Sequence, residues 1–483
     1  MPITSELPPT VIEAHPAKAP ASCLAQTKVW AERMDWALTV SVANSQENMG
    51  HLEEALMVEG RELQRQLLER AIQTKADNTP LRCPICGGAL TRVTHDHERT
   101  VESRFGPVGL RRSRGWCRKC DAYYFPADFR LGLERSTASP GVQETAALLV
   151  SKMPAPEASA VLQRLTGQKI SPASLEREAR RQGQKAQKKR AELDGQLEDW
   201  SKLKQVAQEA RATLPEQPFV MVIELDAWNI RERDYWGQTQ ELQVAGQQFS
   251  RWHWVYGATC FRLDQRGQTA GGRPFITERG YVMTRGGLEE LEKQLWAEAV
   301  RRGLLQAELV LVVADGAAWI WNLVSERFKG AREVLDFYHA AEHLWTVANT
   351  VFGSGTAAAK QWVQPLISQL KEGKGADVIQ TLEQALQKIV DRPEDRKTVE
   401  VERNYFLTHQ SRLDYKAIAE AGYPIGSGAM ESTCRQYQCR LKRTGQFWTT
   451  AGDEALITLE TMWRNQRWRL LFPHANSWDP RRN

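Results

Sequence analysis

The stretch that most constrains the fold is Leu309-Val310-Leu311-Val312-Val313-Ala314-Asp315-Gly316. An unbroken apolar run of Leu and β-branched residues, closed by a charge and a glycine, reads as a strand buried on both faces. Asp315 sits where that strand leaves the sheet, and Gly316 lets the chain turn. Ala317 to Phe328 then reads as a helix, with Trp319, Leu323 and Phe328 roughly on one side. Strand ends in α/β sheets are where ligands bind and chemistry is done. An Asp in this place either caps the following helix or carries chemistry, and the choice depends on whether other carboxylates join it.

At 483 residues the chain has room for about three domains. A hydrophobic fraction of 42% and a charged fraction of 25% are ordinary for a soluble globular protein. The net charge of +5 is small for this length, so the clustering of basic residues says more than their excess. No apolar run approaches the ~18 residues of a membrane span. Residues 1–26 are rich in Pro and Ala and lack the apolar centre of a secretory signal. Eight Cys, four of them in two C-x-x-C pairs, fit a reducing compartment and a metal better than a disulfide framework. A cytoplasmic location is expected.

Residues 1–26 read as a flexible leader and 27–78 as a helical region, where Leu52, Leu56, Leu63 and Leu67 form one apolar stripe. That stripe serves either its own domain or a second copy. Residues 79–135 contain Cys83-Pro84-Ile85-Cys86 and, 30 residues on, Cys117-Arg118-Lys119-Cys120. Two such knuckles supply four thiolates that can close tetrahedrally around one structural Zn²⁺, with no open position for catalysis. Between them Val101 to Arg114 alternates, and Gly106-Pro107 suggests a hairpin turn; the whole reads as a zinc ribbon. His95 and His97 read as surface residues, and Arg111, Arg112, Arg114, Arg118 and Lys119 suggest contact with phosphate.

Residues 136–215 read as a helix-turn-helix region and a charged linker helix. Val142–Met153 and Glu157–Leu165 are helical, Thr166 to Lys169 turns, and Ser171-Pro172 starts a third helix. That helix carries Arg177, Arg180, Arg181, Lys185, Lys188, Lys189 and Arg190. A basic helix after a glycine-containing turn points to DNA; a solvated charged face is the alternative.

From 216 to 340 the pattern is strand Phe219–Asp226, strand Trp252–Phe261, strand Gly280–Thr284, helix Gly287–Arg302, the Leu309 strand, a helix, and the strand at Glu333. A meander followed by parallel additions through right-handed crossovers is the order of a ribonuclease-H-like α/β core. Residues 341–421 read as an all-helical insertion, 422–471 as the final core helices, and 472–483 as a basic tail.

Asp226 ends the first core strand, Asp315 the fourth, and Glu431 lies near the start of the first of those last helices. In such a core these places converge on one sheet edge. Phosphoryl transfer uses metal ions, commonly two ~3.5–4 Å apart, and hard Mg²⁺ takes carboxylate oxygens. Three grouped acids would repel one another without metal.

Here the sequence resembles a known family. Ile223-Glu224-Leu225-Asp226, Val313-Ala314-Asp315-Gly316-Ala317, Asp336-Phe337-Tyr338-His339 and Gly426-Ser427-Gly428-Ala429-Met430-Glu431-Ser432 look like the signatures of DDE transposases. The nearest match is the bacterial ISKra-type insertion-sequence family, which is similar to Mutator-like elements. The resemblance takes in Cys83 to Cys120, Phe125-Pro126 and Leu131 to Glu134, and so spans roughly residues 80–450. It implies Asp226, Asp315 and Glu431 as catalytic acids holding two Mg²⁺ (or Mn²⁺) ions, with Asp336 and His339 as a supporting pair. Glu224 and Asp234 are nearby acids that it does not select.

The implied activity is binding of element ends, strand cleavage by water, then in-line attack of the freed 3′-hydroxyl on target DNA. Arg435, Arg440, Lys442 and Arg443 would bring positive charge to that DNA, and Trp448 either stacks on a base or fills the core. The implied partners are double-stranded DNA, at element ends and target, and further copies of the chain in a dimer or larger assembly. A nuclease of the same fold that does not join ends, and a DNA-binding regulator with vestigial acids, are the alternatives.

Overall fold

The structure, a computed structural model, describes residues 21–36, 48–134, 136–234, 241, 244 and 252–474. The chain forms two compact units, Met1–Ala146 with Ala155–Glu178 and Ala147–Pro154 with Ala179–Asn483. The division falls inside the 136–215 region. The leader and basic tail expected from sequence lie mostly outside the described residues, although the first helix already begins at Ala21.

In the first unit, helices α1 (Ala21–Trp36) and α2 (Met49–Asp77) precede a hairpin of β1 (Thr91–Ser103) and β2 (Gly106–Cys117), with β3 (Ala122–Tyr124) on the far side of β2. The hairpin turns at Arg104-Phe105, two residues before the expected Gly106-Pro107, and Ser103 faces Gly106 in the last pair. The Ser103 hydroxyl donates to Gly106 O at 2.6 Å and accepts from Phe105 N at 3.1 Å, which closes the two-residue loop. The second half of α2 lies on this hairpin. Leu68, Ile72 and Ala76 pack against Val101, Val108, Leu110 and Leu133. The packing face is therefore offset from the expected leucine stripe, because the hairpin reaches only this half; Leu56 stays exposed. After α3 (Pro126–Arg130) come α4 (Pro140–Lys152), α5 (Ala155–Thr166) and α6 (Pro172–Gly195). Pro172 opens α6 as expected, and Ser171 Oγ accepts from Ser174 N at 3.2 Å.

The second unit is built on a five-stranded mixed sheet. Its strands are β4 (Val220–Arg231), β5 (Trp252–Arg262), β8 (Gly280–Thr284), β9 (Leu309–Ala314) and β10 (Arg332–Leu335), in the order β10-β9-β4-β5-β8. A small separate hairpin pairs β6 (Arg266–Gln268) with β7 (Pro274–Ile276). The β4-β5-β8 meander is antiparallel, whereas β9 and β10 add in parallel, as the sequence order indicated. Strand β9 lies between two neighbours, and Leu311 to Ala314 are all 0% exposed. Apolar residues are needed on both its faces, so its sequence does not alternate.

Strand β4 does not end at Asp226, contrary to the sequence reading. Its parallel pairing stops at Leu225–Ala314, but its pairing with β5 runs on to Arg231–Trp252. Asp226 thus marks where one neighbour leaves.

Helices α7 (Trp200–Arg211), α8 (Leu288–Arg301) and α9 (Ala318–Arg327) join the sheet. The helical stretch comprises α10 (Phe337–Phe352), α11 (Ala357–Lys371), α12 (Gly375–Lys388), α13 (Pro393–Thr408) and α14 (Tyr415–Glu420). Its Leu344, Val347, Leu366 and Phe406 belong to the same buried cluster as Ile223, Leu311 and Val313 of the sheet, so the helices complete the sheet's core. Three helices follow, α15 (Gly428–Leu441), α16 (Thr450–Arg464) and α17 (Trp468–Leu471). No helix among the described residues is long and apolar enough to cross a membrane.

Candidate functional site

Two sites emerge, one in each unit. In the first, Cys83 and Cys86 sit on a loop closed by Gly87 N to Cys83 O at 2.9 Å and Cys83 N to Gly88 O at 2.8 Å. Cys117 ends β2, and Cys120 follows on the turn to β3. The Sγ atoms of Cys83 and Cys120 are 3.8 Å apart and those of Cys86 and Cys117 3.5 Å, with all four donors within 4.8 Å of one another. Tetrahedral Zn–S bonds of ~2.3 Å require sulfurs roughly 3.8 Å apart, so the cluster fits one structural zinc. Burial would push the Cys83 thiol up, but the backbone N–H groups of Cys86 and Ile85 bring it down to about 7, toward the thiolate a metal binds.

His95 and His97 bond Ser113 Oγ at 2.8 Å and Thr94 Oγ1 at 2.7 Å and stand outside the cluster. Of the basic residues around it, Arg112 is committed to buried Asp128 at 2.6 Å and to the Phe125 ring, and Arg114 lies over Tyr123. Arg111, Arg118 and Lys119 are exposed.

The second site lies where β4 and β9 part. Leu225 faces Ala314 in parallel register, so Asp226 and Asp315 are the next residues along the two strands. Asp315 accepts from Ala317 N at 2.9 Å, a local turn bond; it does not cap α9, whose N-cap is Ala317 and has no side-chain capping bond. Burial pushes the Asp226 carboxyl up, and the charge of Asp315 adds to the effect; the Ala227 N–H and the Cys434 thiol oppose it. Opposite Asp226 on β5 stands Gly257, and a Cβ there would collide with Met430 of α15. The glycine lets α15 lie against the sheet beside Asp226.

The structure adds Glu224, which was passed over in the sequence. It shares a face of β4 with Asp226 two residues on, is 2% exposed, and accepts from Met430 N at 2.7 Å at the start of α15. Burial pushes its carboxyl up to about 8. The signal was an acid in the Val222-Ile223-Glu224-Leu225-Asp226 run at the same parity as Asp226. Asp234 is elsewhere, bonded to Thr450 N at 2.9 Å.

Glu431 stands in the first turn of α15 with its side chain 63% exposed and tied to Arg435 at 2.9 Å. It is not gathered with the two Asp: among the described residues, only the four cysteines form a group of three or more donors all close enough to share a metal. Asp226 and Asp315 nevertheless form an oxygen-only pair whose mutual repulsion a hard divalent cation would relieve.

Asp336 caps α10 through the N–H groups of Tyr338 and His339, at 2.7 and 3.0 Å, and His339 Nδ1 lies 3.4 Å from its Oδ1. That carboxylate holds the His339 imidazole up to about 9 against burial, with the Asp315 charge contributing. Beside them, Gly316 is covered by Tyr405 of α13 and by His409, which ends that helix. His343 stacks on Tyr405 at 3.8 Å and bonds Glu402 at 2.5 Å.

The basic residues separate into two groups. On α6, Arg177, Arg180, Lys185 and Lys188 are exposed and Arg181 half-buried, whereas Arg190 is held among Glu454, Thr458 and Glu290. On and after α15, Arg435, Lys442 and Arg443 are exposed. Arg440 is not: it is 9% exposed and gives Nε and Nη2 to Val150 O at 3.0 and 2.9 Å. It shares the helix side of buried Tyr437, so the expectation that it meets DNA is corrected. Trp448 is also structural, its indole N–H donating to Leu441 O at 2.7 Å and its backbone bridging Glu232.

No family model matches the chain. A protein of Streptococcus gallolyticus described as "UPF0236 protein in vanSb 3′region" is 23% identical over 372 residues, 76% of this chain and 73% of that protein. Among solved structures, a chain of the Drosophila P element transposase strand transfer complex aligns with a TM-score of 0.30 and 11% identity over 71% of this chain and 95% of its own length.

Proposed function

We propose that this chain is a DDE-type DNA transposase of the ISKra type, with a ribonuclease-H-like core and Asp226, Asp315 and Glu431 as its catalytic acids. The observation that carries the reading is the β4–β9 register, which sets two carboxylates side by side at the end of a parallel strand pair. The sheet order β10-β9-β4-β5-β8 supports the same core. Asp226 and Asp315, joined by Glu431, would hold Mg²⁺ or Mn²⁺, which when bound activates the attacking oxygen and stabilises the leaving one.

The chain's own residues prepare that site. Asp226 and Asp315 present acceptor oxygens on backbone fixed by the sheet. Glu431 must exchange Arg435 for the metal site, a side-chain movement available to an exposed residue at a helix start. Asp336 anchors the loop before α15, and the cationic His339 beside it offsets part of the negative charge facing Asp315. DNA would run over the exposed face of α6, with Arg177, Arg180, Arg181, Lys185 and Lys188, as the reading helix of a helix-turn-helix. Arg435, Lys442 and Arg443 would meet the backbone near the cut, and the zinc ribbon would help recognise the terminal repeats. Two element ends must be handled together, so a dimer or larger assembly is part of the proposal.

The test is a plasmid assay carrying the element's terminal repeats, scored for joined products in Mg²⁺. Joining supports a transposase. Cleavage without joining identifies a nuclease, and binding without cleavage a regulator.

A further inference from the structure

Tyr405 of α13 is packed on the turn that follows Asp315, and its hydroxyl is a donor without an acceptor. A Cβ added at Gly316 would lie 2.8 Å from Cζ of the ring, so the phenol rests on the residue next to Asp315. His343 stacks on the ring with centroids 3.8 Å apart, and Glu402 holds His343 in turn, which fixes the ring in place. The phenol oxygen is buried, yet among the described residues no group meets it at hydrogen-bonding distance and angle. Burial pushes the phenol up, and the charge of Asp315 adds to this, ahead of Asp336 and Glu402; the Gly316 N–H opposes them from the acceptor side. The phenol therefore keeps its proton beside the peptide that joins Asp315 to Gly316.

A buried donor without an acceptor is costly, and native structures keep few of them. Elsewhere in this unit the buried Tyr437 hydroxyl pairs with Thr461 Oγ1 at 2.8 Å. Tyr415 also lacks a partner, but at 1% exposure it is closed into the core against the ring of Phe337. Tyr405 differs in having a carboxylate at hand. Among the described residues the Asp315 carboxylate receives one hydrogen bond, from Ala317 N to Oδ1, so it has lone pairs for a cation and for a phenol together. Carboxylates that ligate metals are themselves hydrogen-bonded, and those bonds orient the ligand oxygens.

We propose that Tyr405 is a positioning residue of the metal site, its hydroxyl donating to the Asp315 carboxylate when a divalent cation is bound there. This rests on the reading of Asp226 and Asp315 as a metal-binding pair. Gly316 then has a purpose beyond the turn, since it admits the ring that carries the donor.

The test is Tyr405→Phe in the full-length protein, which removes the hydroxyl and keeps the ring on Gly316. Mn²⁺ binding is measured by electron paramagnetic resonance of the free ion, with Asp315→Asn defining which binding belongs to this site. Tyr405→Phe should weaken that binding about 10–100-fold, as removal of a partner behind a metal ligand does. Without metal, urea denaturation should find it as stable as wild type or more so, because no bond is lost. Equal Mn²⁺ affinity in wild type and Tyr405→Phe overturns the inference and leaves the metal pair standing. A metal-free Tyr405→Phe less stable than wild type also overturns it, since the hydroxyl would then serve the fold itself. Mn²⁺ binding unchanged by Asp315→Asn sinks the metal pair, and the inference with it.

Discussion

Asp336 accepts both the backbone N–H and the hydroxyl of Ser427, at 2.5 and 2.6 Å, so the residue that caps α10 also fastens the loop from which α15 starts. Burial opposes its charge, but bonds from His339 and Ser427 outweigh that and hold the carboxyl well below the usual range. Asp336→Asn keeps the shape but loses the charge-assisted bonds. It should lower unfolding free energy by about 2–4 kcal/mol, at ~1.5–3 kcal/mol per bond to a charged group with partial compensation. Urea denaturation at neutral pH checks this; an unchanged midpoint would contradict it.

His339 adds a pH dependence. Its imidazole is raised from 6.5 to about 9 by Asp336. A raised base stabilises the fold fully below its unfolded pKa and loses that contribution as pH climbs through the folded one. The stability difference between wild type and His339→Gln should therefore be largest below about 6.5 and shrink toward 9. Denaturation curves across that window test it, and a flat difference would show that the ion pair is not what stabilises this corner.

The cysteine cluster predicts one zinc per chain. Cys83→Ser, or removal of metal by a strong chelator, should unfold the β1–β3 ribbon, since structural zinc contributes ~10–16 kcal/mol of apparent binding energy at such sites. Elemental analysis alongside thermal unfolding reads both effects. A metal-free protein with an unaltered transition would refute the assignment.

Gly316 has a steric role. A Cβ there would run into the Tyr405 ring, with Cζ at 2.8 Å and His409 Nε2 at 2.9 Å. Gly316→Ala should cost about 1–3 kcal/mol, as overpacking does. Adding Tyr405→Ala should remove most of that specific penalty, so the two changes should be strongly non-additive in denaturation. Strict additivity would mean that the glycine is there for another reason.

Much of this architecture was legible because buried strands declare themselves. The Leu309–Ala314 run, the Gly280–Thr284 strand and the two cysteine knuckles each carry a pattern that few other structures need. What was not legible depended on partners. Asp226 looked terminal because the continuous apolar run stops there, although Trp228 to Arg231 alternates apolar and polar, with Trp228 and Ile230 buried, as its pairing with β5 requires. Arg440 was grouped with Arg435 and Arg443 by charge, but the spacing of Tyr437 and Leu441 turns it inward. Tyr405 and His409 lie about ninety residues after the Asp315 turn, and only folding of the α10–α14 helices onto the sheet reveals them as its cover.

The central claim is that Asp226 and Asp315 work as one metal-binding pair. The most direct measurement is Mg²⁺-dependent cleavage and strand transfer by wild type, Asp226→Asn and Asp315→Asn on the same terminal-repeat substrate, with folding and DNA binding measured in parallel. Either substitution should leave the fold and duplex affinity intact and lower both reactions by ~10²–10³-fold, the loss expected when a principal electrostatic contribution to the transition state is removed. Cleavage at wild-type rate by folded Asp315→Asn would contradict the account.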